Sequence, residues 1–135
     1  MAYEITEIEG IGPKFAEKLS AAGIASAEDL LARARTPAGR KSLADAAEIR
    51  PDLILTWANR ADLMRLKGVG GQYAELLNVA GVDTIKELRR RNAANLRTKM
   101  VEINDERNIC KNNPSETMVE GWIAQAATLD GALEY

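Results

Sequence analysis

The sequence predicts an all-α fold, a pseudo-duplicated bundle with about four helices in each of two units. Three observations predict it. Ala, Leu, Glu, Lys and Arg dominate the 135 residues while aromatic residues make up only 4%, a composition that favours helix. No stretch sustains the apolar–polar alternation of a strand. Finally, "IEGIGPKFAEKLSAAGIASAEDLL" (8–31) returns 58 positions later as "LKGVGGQYAELLNVAGVDTIKELR" (66–89), aligning Gly10 with Gly68, Gly12 with Gly70, Ala16 with Ala74, Leu19 with Leu77 and Gly23 with Gly81. Such a repeat divides the chain into 1–63 and 64–135, packed as one compact domain because each unit alone buries too little apolar surface.

The elements follow in order. Pro13 suits the first turn of a helix, where its missing N–H costs nothing, and Phe15, Ala16 and Leu19 continue at helical spacing. Gly23 reads as the left-handed residue that stops this helix. "SAED" (26–29) is a capping box that opens a second helix with Leu30 inward. Thr36-Pro37 opens a third helix and Pro51 a fourth. In the second unit Tyr73, Ala74 and Leu77 repeat the first pattern, Gly81 the stop, and "TIKE" (84–87) the capping box, with Leu88 inward. Asn113-Pro114 or Ser115 starts the last helix. Trp57 and Trp122 lie 65 positions apart, so the second unit carries about seven extra residues. "NDERNICKNN" (104–113) reads as the loop that holds them. Trp57 with Ile54, Ala58 and Ala61, and Trp122 with Val119, Ile123 and Ala126, form helical stripes that read as core.

Composition excludes several functions. The chain has no His and one Cys, which removes His-based acid–base and triad chemistry, a disulfide framework and most zinc sites. No segment is apolar for the length a membrane span requires, and "MAYEITEIEG" has neither the basic patch nor the apolar stretch of a secretory signal. These features predict a cytoplasmic protein with no cofactor, no metal, no membrane partner and no small-molecule substrate. The clustered carboxylates Asp105-Glu106 fall in the expected loop without metal-ligand spacing. Eighteen basic residues against twenty acidic ones give a net charge of −2, which argues against a dedicated DNA binder but permits a local basic patch.

The Gly-Ile-Gly and Gly-Val-Gly corners carry the functional signal. Glycine permits positive φ and lets a ligand or another backbone come close. The helix that follows offers unpaired N–H groups and the positive end of its dipole, together a small anion site suited to a phosphate oxygen. Ile11 and Val69 are expected to point inward and pin each turn.

"GIGPKFAEKLSAAGI" and "GVGGQYAELLNVAGV" resemble helix-hairpin-helix motifs of repair, recombination and replication proteins, over about 24 residues in each unit. The whole pattern, two such units each closed by a Trp-bearing helix, resembles a bacterial family of tandem helix-hairpin-helix domains of unknown function. The resemblance implies a grip on the DNA backbone that reads no sequence. The donors it implies are the amides around Gly10, Gly12, Gly68, Gly70 and Gly71. Lys14 stands where the family often places a phosphate-facing cation, Lys18 lies one turn on, and Gln72 takes the place of Lys14 in the second unit. Lys67, Arg89 and Arg90 supply further charge, followed by Arg91, Arg97 and Lys99. Glu7 and Glu9 flank the first corner and Pro13 removes one of its donors, so the second corner is the better phosphate contact.

Other readings use the same residues. Three consecutive arginines on a helix project about 100° apart and cannot all face one partner, so such a run also reads as solvated surface. The glycines also permit close helix crossing without a ligand. Helix-hairpin-helix glycosylases use a downstream Asp, often with a Lys nucleophile. Asp83, however, is explained by the helix start at Thr84, nothing would enclose a flipped base, and Lys14 or Lys67 beside carboxylates lacks an activating environment. No catalytic residue is assigned. The expected function is weak, non-specific binding of nucleic-acid phosphates. The alternative is a protein–protein adaptor that docks a protein partner on the same scaffold.

Overall fold

A computed structural model describes residues 3–135. Every extended element in it is helical: α1 (Pro13–Ala21), α2 (Ala27–Arg33), α3 (Pro37–Ala47), α4 (Pro51–Leu63), α5 (Gly71–Val79), α6 (Ile85–Arg89), α7 (Ala93–Arg107) and α8 (Glu116–Ala126), preceded by a 3-10 turn at Ile5–Glu7. Among the described residues there is no strand, only an isolated bridge between Glu4 and Ser26. The chain divides into two compact units, Met1–Asp62 with Ala132–Tyr135, and Leu63–Gly131.

In the first unit α3 packs against α1 and α2. Its core includes Ile8, Leu19, Leu30, Leu43, Ile54 and Trp57, each at most 2% exposed. Four chain-terminal residues complete it. The Arg40 guanidinium donates to the carbonyl of Glu134 at 2.9 Å, Arg35 pairs with the Glu134 carboxylate, the Asp62 carboxylate accepts the Ala132 amide, and the Tyr135 hydroxyl donates to Asn59. In the second unit α8 packs on α6 and α7, and α5 on α7, around Leu76, Leu77, Ile85, Leu88, Met100 and Trp122.

Local sequence accounts for most helix ends. Ser26 and Asp29 form a reciprocal capping box. Thr36, Asn92 and Ser115 each cap through a side-chain oxygen, as does Thr84. The expected box at Thr84 is only half formed, because the Glu87 carboxylate accepts from the Thr84 hydroxyl instead of reaching back to the backbone. Gly23 and Gly81 adopt φ of +89° and +97°. Each closes a Schellman motif, with Ile24 N–H donating to Leu19 and Val82 N–H to Leu77, so α1 and α5 end in the same way.

Two regions differ from the sequence reading. Residues 104–107 are not loop, because α7 continues through Arg107 and stops at Asn108, which takes a left-handed conformation. Asp105 and Glu106 therefore lie on a helix. Buried Asn104 joins its amide to Cys110 and Asn113 and accepts the Cys110 N–H, so a residue that is usually a helix breaker becomes the anchor of the following loop. The three arginines also do not share a helix. Arg89 ends α6, Arg90 is its C-cap, and Arg91 leads into the cap of α7.

Candidate functional site

Each glycine corner is a β-turn. Ile11 N–H donates to Ile8 and Val69 N–H to Leu66, which puts Gly10 and Gly68 at the third position of the turn with φ of +99° and +91°. Ile11 and Val69, 4% and 0% exposed, anchor the turns in the core as their apolar side chains require.

The four glycines have two different reasons to be there. A Cβ on Gly10 would lie 2.9 Å from Trp57 Nε1 and one on Gly68 would lie 3.2 Å from Trp122 Nε1. Positive φ and indole packing both demand glycine at these positions. Gly12 and Gly70 have neither constraint. Their φ values of −86° and −91° suit any residue, and a Cβ on either would meet nothing within 4 Å among the described residues. Without a side chain there, the space in front of the helix start stays open.

Gly12 and Gly70 are the N-caps of α1 and α5, and neither helix has a side-chain cap. In contrast, α2, α3, α6, α7 and α8 each have one. Within the described residues no hydrogen bond is formed by the amides of Gly10, Gly12, Lys14 and Phe15 in the first unit. The same holds for Gly68, Gly70, Gly71, Gln72 and Tyr73 in the second. Pro13 accounts for the smaller first set, since it carries no N–H.

One side chain from each Trp-bearing helix fastens the corner, three residues after the Trp. Arg60 donates to the Glu9 carbonyl at 2.8 Å. Gln125 accepts the Lys67 amide at 2.8 Å and donates to the Lys67 carbonyl at 3.1 Å. Glu9 and Lys67 are equivalent in the repeat, so each clamp acts at the same point of its corner. The sequence reading did not single out Arg60 or Gln125, although their shared offset from Trp57 and Trp122 was the available signal. Phe15 packs edge-on against Trp57 at 4.9 Å, and Tyr73 lies tilted against Trp122 at 5.2 Å. Burial pushes the Tyr73 hydroxyl pKa up, with a smaller contribution from Cys110. Its hydroxyl donates to the Asn112 carbonyl.

The expected cations separate into two groups. Lys14, Lys67, Gln72 and Arg90 are exposed, and their heads form no hydrogen bond with the described residues. Arg89 is directed elsewhere, donating to the carbonyls of Ala126 and Leu129 at 3.0 and 2.9 Å. Arg91 reaches the Ala80 carbonyl, Arg97 that of Pro114 and Lys18 that of Glu48. Ala126 ends α8, while Ala80 and Glu48 are the C-caps of α5 and α3. Arg89, Arg91 and Lys18 therefore neutralise the negative ends of helices within the fold, while Arg97 holds the residue just ahead of the α8 N-cap. Asp83 accepts from Asn78, while Thr84 alone caps α6. Among the described residues no group of three or more His, Cys, Asp or Glu could hold a metal, and no helix is long and apolar enough to cross a membrane.

The fold and site define an all-helical protein with two uncapped, glycine-fronted helix starts. A family model described as a domain of unknown function, DUF4332, matches residues 9–129, and the chain belongs to that family. No curated protein and no solved structure matches it.

Proposed function

We propose that the protein binds nucleic-acid backbone phosphates without reading sequence and without a chemical step, using two helix-hairpin-helix units that arose by duplication. One observation carries this reading. The two helices that follow the glycine corners start without a side-chain cap, whereas five others are capped. An uncapped helix start presents amide donors and a positive dipole end to an incoming anion. The vacant Cβ positions at Gly12 and Gly70 support the reading, since no contact among the described residues requires glycine there. The matching φ values, Schellman stops and clamps support the duplication. The second corner is the stronger site, with Gly71 keeping the N–H that Pro13 lacks and Lys67 standing in place of Glu9.

With only a few phosphates engaged, affinity for duplex DNA is on the order of 10–100 μM at physiological salt. About three phosphate contacts give a log–log salt slope near −3, which is roughly a fortyfold loss between 50 and 200 mM salt. Fluorescence anisotropy with a labelled duplex tests this, and Lys67→Glu should weaken binding further. Absence of binding at low salt with protein well above 100 μM would overturn the reading. The carboxylates of Glu7 and Glu9 beside the first corner favour protein docking as the second reading, which would then be tested by capture of a partner from extract.

A further inference from the structure

We infer that the indole N–H groups of Trp57 and Trp122 are ligand donors, each joining the amides of its glycine corner around one phosphate oxygen. The inference rests on the proposed phosphate binding and deepens it by naming a side chain in each site. Both tryptophans are 2% exposed, yet neither indole N–H has a hydrogen-bond partner among the described residues. Neither nitrogen is sealed from solvent either, because among the described residues no buried side-chain nitrogen or oxygen is left unsatisfied. A Trp that is this buried usually finds an acceptor for its N–H.

The direction of each ring gives the reason. At Gly10 the nearest Trp57 atom to the Cβ position is Nε1 at 2.9 Å, with Cδ1 farther away at 3.6 Å. At Gly68 the one atom within 4 Å among the described residues, its chain neighbours aside, is Trp122 Nε1. The same edge of the ring therefore faces the corner in both units. Phe15 and Tyr73 hold the two rings at similar centroid distances, and the Arg60 and Gln125 clamps fix the adjoining loop. An anion at the corner meets a rigid indole donor beside the free amides of Gly12 or Gly70, and its charge strengthens each hydrogen bond.

Two indole N–H groups give two signals in a proton–nitrogen correlation spectrum of the intact chain, assigned with Trp57→Phe and Trp122→Phe. The test titrates a short mixed-sequence duplex, and separately inorganic phosphate, at low salt. Both indole protons are expected to move downfield and saturate together with the amides of their own corner, Trp122 at lower ligand concentration than Trp57. Saturation by the duplex alone identifies a polymer backbone, and saturation by both probes a general phosphate site; either result supports the indole donors. Indole signals that stay fixed, move upfield, or move without the corner amides overturn the inference. If the amides of Gly68, Gly70 and Gly71 shift while the indoles do not, phosphate binding survives and only the indole role falls. If neither set moves with duplex, both fall.

Discussion

Replacing Gly10 and Gly12 by alanine, one at a time, separates the two roles assigned to the corner glycines. An added methyl group at Gly10 would lie 2.9 Å from Trp57 Nε1 and 3.4 Å from Arg60 Nη1. Trp57 cannot retreat, because it is 2% exposed and Phe15 packs against it. Holding alanine at positive φ costs roughly 1–2 kcal/mol, and overpacking against the indole about 1–3 more. The sum, roughly 2–5 kcal/mol, corresponds to a fall in Tm of about 8–20 °C for a domain of this length. At Gly12 the backbone is already extended and the methyl group meets nothing. The change there is within about 1 kcal/mol, because lower unfolded-state entropy offsets a weaker N-cap. Thermal melts followed by circular dichroism read both variants. The reasoning fails if Gly10→Ala melts within a few degrees of the parent, or if Gly12→Ala falls as far as Gly10→Ala.

Gly70→Ser supplies α5 with the cap it lacks, so stability should rise by about 0.5–1 kcal/mol in denaturant titration while duplex affinity falls several-fold, the hydroxyl now occupying an amide meant for phosphate. Arg89→Ala removes the donor to Ala126 and Leu129 and should cost about 1–3 kcal/mol while leaving duplex affinity within twofold. Arg90→Ala, with no bond to lose among the described residues, should leave the melting curve unchanged. The Asp29 carboxyl is held below its ordinary value of 3.8, chiefly by the Ala25 amide and also by Ser26. Its contribution is therefore complete above that value and fades as pH drops through the depressed one. Asp29→Asn should flatten stability against pH below about pH 4 and leave the slope between pH 6 and 8 unaltered.

What could be read from the sequence was local. Ser26, Thr36 and Ser115 cap helices because a short polar side chain reaches an amide three residues ahead, a relation visible in the residue order. Gly23 and Gly81 stop helices for an equally local reason, and the inward stripes of Trp57 and Trp122 follow from spacing alone. Asn104 was misread because Asn usually weakens a helix; here its side chain anchors a loop that lies beyond the helix end. The cations were harder still. Arg89, Arg91 and Arg97 look like a patch for a polyanion, yet their acceptors are carbonyls 37, 11 and 17 residues away. At the candidate site, the glycines and open amides were legible, whereas the indole edge and the Arg60 and Gln125 clamps were set by tertiary packing. The chain-terminal residues that join the first unit lie up to 99 positions from their partners, beyond the range of any local signal.

That return of 132–135 makes the second unit an insertion within the first. On the ribosome, Leu63–Gly131 is made before the strap that finishes the preceding unit. Arg40 and Asp62 therefore find their partners Glu134 and Ala132 only in residues made after the whole second unit. Cutting the chain after Gly131 would remove these bonds from the first unit and leave those of the second untouched.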